Sequence, residues 1–196
     1  HEEGVVHRDL KPANIFLAVG RHQIVEPRVV DFGISKLFDE ARAGRELTAT
    51  DMILGTPYYM SPEQVKGARS ATPASDQYAL GVILYQCVTG EVPFRGPTLF
   101  DTLTLIVSGT CRRPRELCPS LTRDFEAVIG RAMARDPARR FASVGDMAAA
   151  LVPFASPGVK AQWSPVFLAT DVATAAPAPA AVDAPPGGPL AASAGS

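Results

Sequence analysis

The sequence predicts an α+β fold that is mainly helical, with a small β-hairpin patch at its N-terminal edge. Three observations lead there. Apolar residues recur at helical spacing from Pro73 to Leu151. Short strand-like runs, Val5–Val6, Asn14–Ala18 and Val29–Val30, precede them. The last 45 residues, from Val152, carry eight of the 18 prolines and only three charged side chains, Lys160, Asp171 and Asp183. Helical spacing governs the first region, and neither a period of 2 nor one of 3.6 governs the third.

At the N-terminal edge, Gly20–Arg21 and Pro27 punctuate the strand-like runs and predict a hairpin. The stretch from Asp39 to Leu54 mixes charges, Thr and Gly without a period and reads as a loop. Ser75 is a candidate cap for a helix carrying Leu80, Ile83, Leu84 and Cys87, stopped by Gly90 and Pro93. That helix is apolar on most sides and should be central. A second helix runs from Pro97 to Val107. A third carries Leu121, Phe125, Val128, Ile129, Ala132 and Met133 behind a Thr122 cap. Ser143 opens a fourth, with Asp146 completing a capping box and Val144, Met147 and Leu151 on one face.

The tail from Val152 to Ser196 reads as a Pro/Ala-rich disordered linker, because prolines block regular ladders and few bulky residues offset the entropy of ordering it. Weak docking is expected only around Trp163 to Leu168. The folded part should end near Leu151.

Composition narrows the function. Nineteen Lys+Arg against 20 Asp+Glu leave a net charge of −1, so nothing in the charge balance calls for nucleic acid or an anionic membrane. The longest uncharged apolar run, Tyr78 to Val88, is far short of the ~20 residues of a membrane span. Cys87, Cys111 and Cys118 make neither a CxxC pair nor an even set, which indicates a reducing compartment and buried or half-buried thiols. No signal peptide is expected from the opening residues. Cytoplasmic placement is expected, with membrane anchoring of a longer parent left open.

The chemistry lies in motifs. His7-Arg8-Asp9-Leu10-Lys11-Pro12-Ala13-Asn14 fits HRDLxxxN. Asp31-Phe32-Gly33 follows, then Gly55-Thr56-Pro57-Tyr58-Tyr59-Met60-Ser61-Pro62-Glu63, the Asp76–Gly81 pair, and Asp136-Pro137-Ala138-Arg139-Arg140. An isolated Asp or Asn in a loop is more often a turn former. Five motifs in this order remove that reading. From Val5 to Leu151 the chain resembles the C-terminal lobe of the eukaryotic-like (Hanks-type) bacterial Ser/Thr protein kinases.

That resemblance implies transfer of the ATP γ-phosphate to Ser/Thr hydroxyls of protein substrates, with Mg²⁺ (or Mn²⁺) as the metal. Phosphoryl transfer asks for a positioned hydroxyl and charge neutralisation. By the resemblance, Asp9 accepts the hydroxyl proton, Lys11 meets the moving phosphoryl, and Asn14 and Asp31 supply the hard oxygens Mg²⁺ requires. Thr56 aligns with the threonine that contacts the catalytic Asp and Lys. Arg8 marks kinases whose activation loop is ordered by phosphorylation, which makes Thr48 and Thr50 candidate sites. Glu63 and Arg140 align with a buried ion pair, and Asp76 with the residue that holds the catalytic-loop backbone. These last three are scaffold. Tyr58 and Tyr59 read as walls of the substrate groove.

Two departures are mild: SPE replaces APE, and the interval from Asn14 to Asp31 is longer than usual. A third is larger. The family's Gly-rich loop, strand lysine and helix glutamate have no counterpart here, since the lysines are Lys11, Lys36, Lys66 and Lys160. The expectation is one domain part at 1–151, with its N-lobe absent, and a linker at 152–196. By itself such a chain should bind ATP weakly, transfer phosphate negligibly, and expose an apolar face around Val82, Tyr85 and Gln86. The alternative is a non-catalytic kinase-like lobe that docks protein partners.

Overall fold

A proline-led 3₁₀ turn, Pro12–Asn14, feeds directly into β1 (Ile15–Val19). In the computed structural model, which describes His1 and residues 5–19, 25–31, 57–67 and 70–167, β1 pairs antiparallel with β2 (Val25–Val29). Ile15 faces Val29, and Val19 faces Val25. Pro27 lies within β2 rather than beside it. In a two-stranded sheet both strands are edges, so a residue without an N–H is tolerated there. The expected run Val5–Val6 is irregular instead, because no strand pairs with it among the described residues. The loop expected at Asp39–Leu54 lies outside the described residues.

The helices start where their caps allow. Pro62–Lys66 forms α1 behind Ser61. Pro73–Thr89 forms α2, and its N-cap is Thr72, not Ser75. The φ of Pro73 already suits a first helical position, so the helix begins earlier and Ser75 reaches back, its Oγ accepting from Thr72 N at 3.1 Å. Gly90 ends α2 in the left-handed region, φ 79°. Leu99–Ser108 (α3) begins after Thr98, whose hydroxyl accepts from Asp101 N while the Asp101 carboxylate accepts from Thr98 N. That box places the start after Pro97. The four-residue α4 (Pro114–Leu117) is too short for a period to reveal. Arg123–Ala132 (α5) and Val144–Leu151 (α6) open behind Thr122 and Ser143, the expected caps.

Beyond Leu151 the chain stays helical. A 3₁₀ turn, Val152–Phe154, leads to α7 (Pro157–Phe167), which packs on α6 and on that turn. Residues 168–196 of the expected linker lie outside the described residues. Phe154 sits 4.9 Å from Phe125 between ring centroids, and Trp163 stacks on Phe167 at 5.6 Å. Such contacts leave no periodic trace in a stretch poor in bulky residues. No helix among the described residues is long and apolar enough to cross a membrane.

The core straddles α2. One cluster joins Tyr78, Val82, Phe94 and Ile106; another joins Ala132, Phe141 and Met147. The face expected to be exposed is covered: Val82 and Tyr85 are buried, and Gln86 is half-buried. Phe94 and Ile106 close over Val82, and the Tyr85 hydroxyl donates to Arg112 O at 3.0 Å. Burial pushes the Tyr85 phenol up to about 12. Cys87, expected inside, is exposed, because α2 turns that side outward. Cys111 and Cys118 are half-buried, and burial above all raises the Cys111 thiol to about 11.

Gly81 shows why α2 needs a glycine in mid-helix. A Cβ there would lie 2.9 Å from Ala132 Cβ and 2.9 Å from Met133 Cγ, on the α5 side. The two helices approach too closely for any side chain. Gly81→Ala should destabilise the fold by about 1–3 kcal/mol, despite alanine's better helix propensity. A denaturant midpoint equal to or above wild type would refute that close packing.

Candidate active site

Asp9, Lys11 and Asn14 converge because the 3₁₀ turn folds the chain back on itself. Lys11 Nζ donates to Asp9 Oδ2 at 2.8 Å. Asn14 Nδ2 donates to Asp9 O at 2.9 Å and, more weakly, to Asp9 Oδ2 at 3.4 Å. Both nitrogen donors thus address the Asp9 carboxylate. With its amide nitrogen committed, Asn14 keeps its oxygen available as a ligand.

The hairpin brings Asp31 to the same place. Val30 N donates to Asn14 O at 3.0 Å, and Ile15 pairs with Val29. Asn14 precedes one strand and Asp31 follows the other, so the hairpin register sets both at the same end of the strand pair. Asp31 has a positive φ of 55°, a conformation that an Asp tolerates better than most residues. Two hard oxygen donors on neighbouring strand ends suit Mg²⁺, which usually takes one or two protein ligands and completes its shell with phosphate and water. Among the described residues no cluster of three or more His, Cys, Asp or Glu could hold a metal alone.

Asp76 secures the loop from below. It is 3 % exposed, and its carboxylate accepts from His7 N at 2.7 Å and Arg8 N at 2.9 Å. Burial pushes its carboxyl up, against the downward pull of those two amides. His7 adds a ring contact from Nε2 to Val30 O at 3.0 Å, which ties the loop to the hairpin. Arg8 adopts φ 67°, left-handed for a residue with a long side chain.

Glu63 and Arg140 meet as a bidentate pair, at 2.7 Å and 2.9 Å. The Arg140 side chain is fully buried and Glu63 is 15 % exposed. Arg140 also donates to Ala74 O and Ala134 O, and its guanidinium lies 5.0 Å from the Tyr78 ring centroid. The Glu63 carboxylate takes a further bond from Ser75 Oγ at 2.8 Å. Burial acts to raise the Glu63 carboxyl, but the Arg140 and Ser75 donors outweigh it and hold it below the usual glutamate value.

A cleft joins the two halves of this arrangement. Arg8, Asp9 and Lys11 line it together with Tyr59, Met60 and Gln64. Tyr59 is pinned by its hydroxyl, which donates to Gln86 Oε1 at 2.7 Å. Thr48, Thr50 and Thr56 lie outside the described residues, as do Phe32 and Gly33. Two further residues, not singled out in the sequence, join the site. His1 Nε2 stands 2.9 Å from Asp76 Oδ2, and Gln64 Nε2 donates to Arg8 O at 2.9 Å. The S-x-x-Q pattern at Ser61–Gln64 was the visible signal for Gln64; nothing in the sequence marked His1.

Comparison with known proteins follows the same line. The family described as "Protein kinase domain" matches residues 1–151. The chain is 42 % identical over 144 residues to the serine/threonine-protein kinase Pkn1 of Myxococcus xanthus, covering 74 % of this chain and 20 % of that protein. It is 36 % identical over 152 residues to the serine/threonine-protein kinase PknB of Mycobacterium tuberculosis, covering 78 % of this chain and 23 % of that one. A third relative, the Myxococcus xanthus serine/threonine-protein kinase pkn3, is 40 % identical over 145 residues, covering 73 % of this chain and 26 % of that protein. The chain thus spans about a fifth to a quarter of the length of the curated relatives it matches. A catalytic loop held on a buried aspartate, a hairpin that delivers a second acidic group, and a family match over 151 residues lead to one conclusion: the chain belongs to the protein kinase family, among the Hanks-type bacterial Ser/Thr kinases.

Proposed function

We propose that this chain forms the catalytic-loop part of an ATP-dependent protein Ser/Thr kinase. The observation that carries the reading is the convergence of Lys11 Nζ and Asn14 Nδ2 on the Asp9 carboxylate. Asp9, so oriented, accepts the proton of an incoming Ser or Thr hydroxyl. Lys11 is close enough to move from the carboxylate to a transferring phosphoryl group and neutralise its charge. Asn14 and Asp31 would hold Mg²⁺, which when bound offsets charge on the ATP phosphates. Protein substrates enter through the cleft between the catalytic loop and Tyr59–Met60. By the family resemblance Thr56 is assigned the contact with Asp9 and Lys11, and Arg8 is the guanidinium that a phosphate on Thr48 or Thr50 would pair with. Glu63, Asp76 and Arg140 hold these parts in place. A docking lobe without chemistry would have no need of this hydrogen-bonded acid, amide and ammonium.

The test is Mg²⁺-dependent transfer from γ-labelled ATP by the full-length protein that contains this chain, followed by phosphoamino-acid analysis of the acceptor. Phosphoserine and phosphothreonine are expected. Label found only on tyrosine, or no label above background, would overturn the proposal.

A further inference from the structure

Arg8 is the residue on which Asp9 hangs, and its backbone is strained. A φ of 67° is uncommon for a residue with a long side chain and persists only where neighbours over-determine it. Both of its main-chain polar groups are taken by side chains from distant parts of the sequence. Asp76 of α2 accepts from Arg8 N. Gln64 of α1 donates to Arg8 O.

The Gln64 amide can face only one way. Its Oε1 accepts from Ser61 N at 3.0 Å and lies 3.1 Å from Ser61 Oγ. A backbone N–H can only donate, so the oxygen must face Ser61 and the NH₂ must face the Arg8 carbonyl. A capping box works equally well with glutamate or glutamine at this position. Glutamate, however, has no donor for Arg8 O and would set a negative oxygen against it. Glutamine is the side chain that can serve the helix and the catalytic loop together.

We infer that Gln64 is a positioning residue for phosphoryl transfer: through Arg8 O it holds the backbone that carries Asp9, and so links α1 to the catalytic loop. The inference rests on the kinase reading above. It also gives that reading a route by which the acceptor side reaches the base. Met60 lines the cleft, residue 61 follows it in the chain, and the backbone N–H of that residue, which an alanine there would keep, orients Gln64.

The experiment compares wild type, Gln64→Glu, Gln64→Met and Ser61→Ala in the full-length protein. Gln64→Glu keeps the cap to Ser61 N and loses the donor. Gln64→Met loses both without adding charge, and carries the test if the glutamate variant does not fold. Both should lower kcat about tenfold or more, since small misplacements of a reacting group have effects of that size. KM for ATP should stay within about twofold, because ground-state binding is untouched. Ser61→Ala, which leaves the Gln64–Arg8 bond in place, should shift the melting temperature by a few degrees at most, about 2–4 °C, and leave kcat alone. Hydrogen exchange over residues 5–14 should quicken in both Gln64 variants and not in Ser61→Ala. Wild-type kcat in Gln64→Glu and Gln64→Met, or unchanged exchange in them, overturns the inference. A wild-type protein that transfers no phosphate overturns the kinase reading instead, and the exchange measurement then still decides the link from Gln64 to the loop.

Discussion

Glu63→Ala is expected to lower the unfolding free energy by about 3–5 kcal/mol, because it strands a buried charge. The Arg140 side chain has no access to water, and Glu63 supplies its only carboxylate among the described residues. What remains are carbonyl bonds to Ala74, Ala134 and, at 3.5 Å, Arg135, which satisfy N–H groups but do not balance a full charge. Urea midpoints of wild type and variant measure the loss, and a difference under about 1 kcal/mol would put the pair in the class of exposed ion pairs.

The same pair carries a pH signature. The folded Glu63 carboxyl lies below its ordinary value of 4.5. The unfolded state then binds the proton more readily than the folded one. The stability contributed by ionised Glu63 is complete above the ordinary value and fades as pH falls through the depressed folded one. The gap between wild type and Glu63→Ala should therefore be flat near neutrality and shrink below about pH 4.5. Asp76 runs the other way: its raised carboxyl makes protonation favour the fold, so acid does not remove its contribution. A gap that widened in acid would contradict the assignment to Glu63.

Asp9→Asn in the full-length protein should cut kcat by about 10²–10⁴-fold, the usual worth of a positioned general base. The amide is nearly the same shape, and Lys11 and Asn14 hold it from two sides. Folding should survive, and the melting temperature should move by no more than about 2–4 °C. KM for ATP should change little, since Asp9 faces the hydroxyl rather than the nucleotide. Loss of kcat in step with loss of folded protein would assign Asp9 to structure rather than chemistry.

The parts of this molecule that could be read from the sequence are those with local causes. Thr122 and Ser143 cap the helices they precede, since capping depends on four consecutive residues. Asp9, Lys11 and Asn14 lie within six residues, and their grouping in one turn follows from that spacing. The motif order identified the family before any distance was known.

Other features depended on partners that sequence spacing does not reveal. Val82 and Tyr85 looked exposed until Phe94, Ile106 and Arg112 closed over them. The run after Leu151 looked like linker because few of its residues are bulky, yet Phe154 finds Phe125 across the fold. Ser75 is a plausible cap by type, but the preceding Thr72-Pro73 starts the helix sooner. Cys87 shares the helical period of Leu84 and Leu80 and still faces outward, because which side of an all-round apolar helix is covered depends on its neighbours.

The sequence alone therefore determined the helical lobe, its caps and the chemical identity of the acid, lysine and amide, because these rest on bonds between near neighbours. Tertiary structure alone decided that Val30 bonds Asn14 and so sets Asp31 beyond the paired strand end, that Asp76 and Gln64 seize opposite ends of Arg8, and which face of α2 is dry. Those bonds join residues 16 to 68 positions apart, and only packing of the whole chain brings such residues within hydrogen-bond reach.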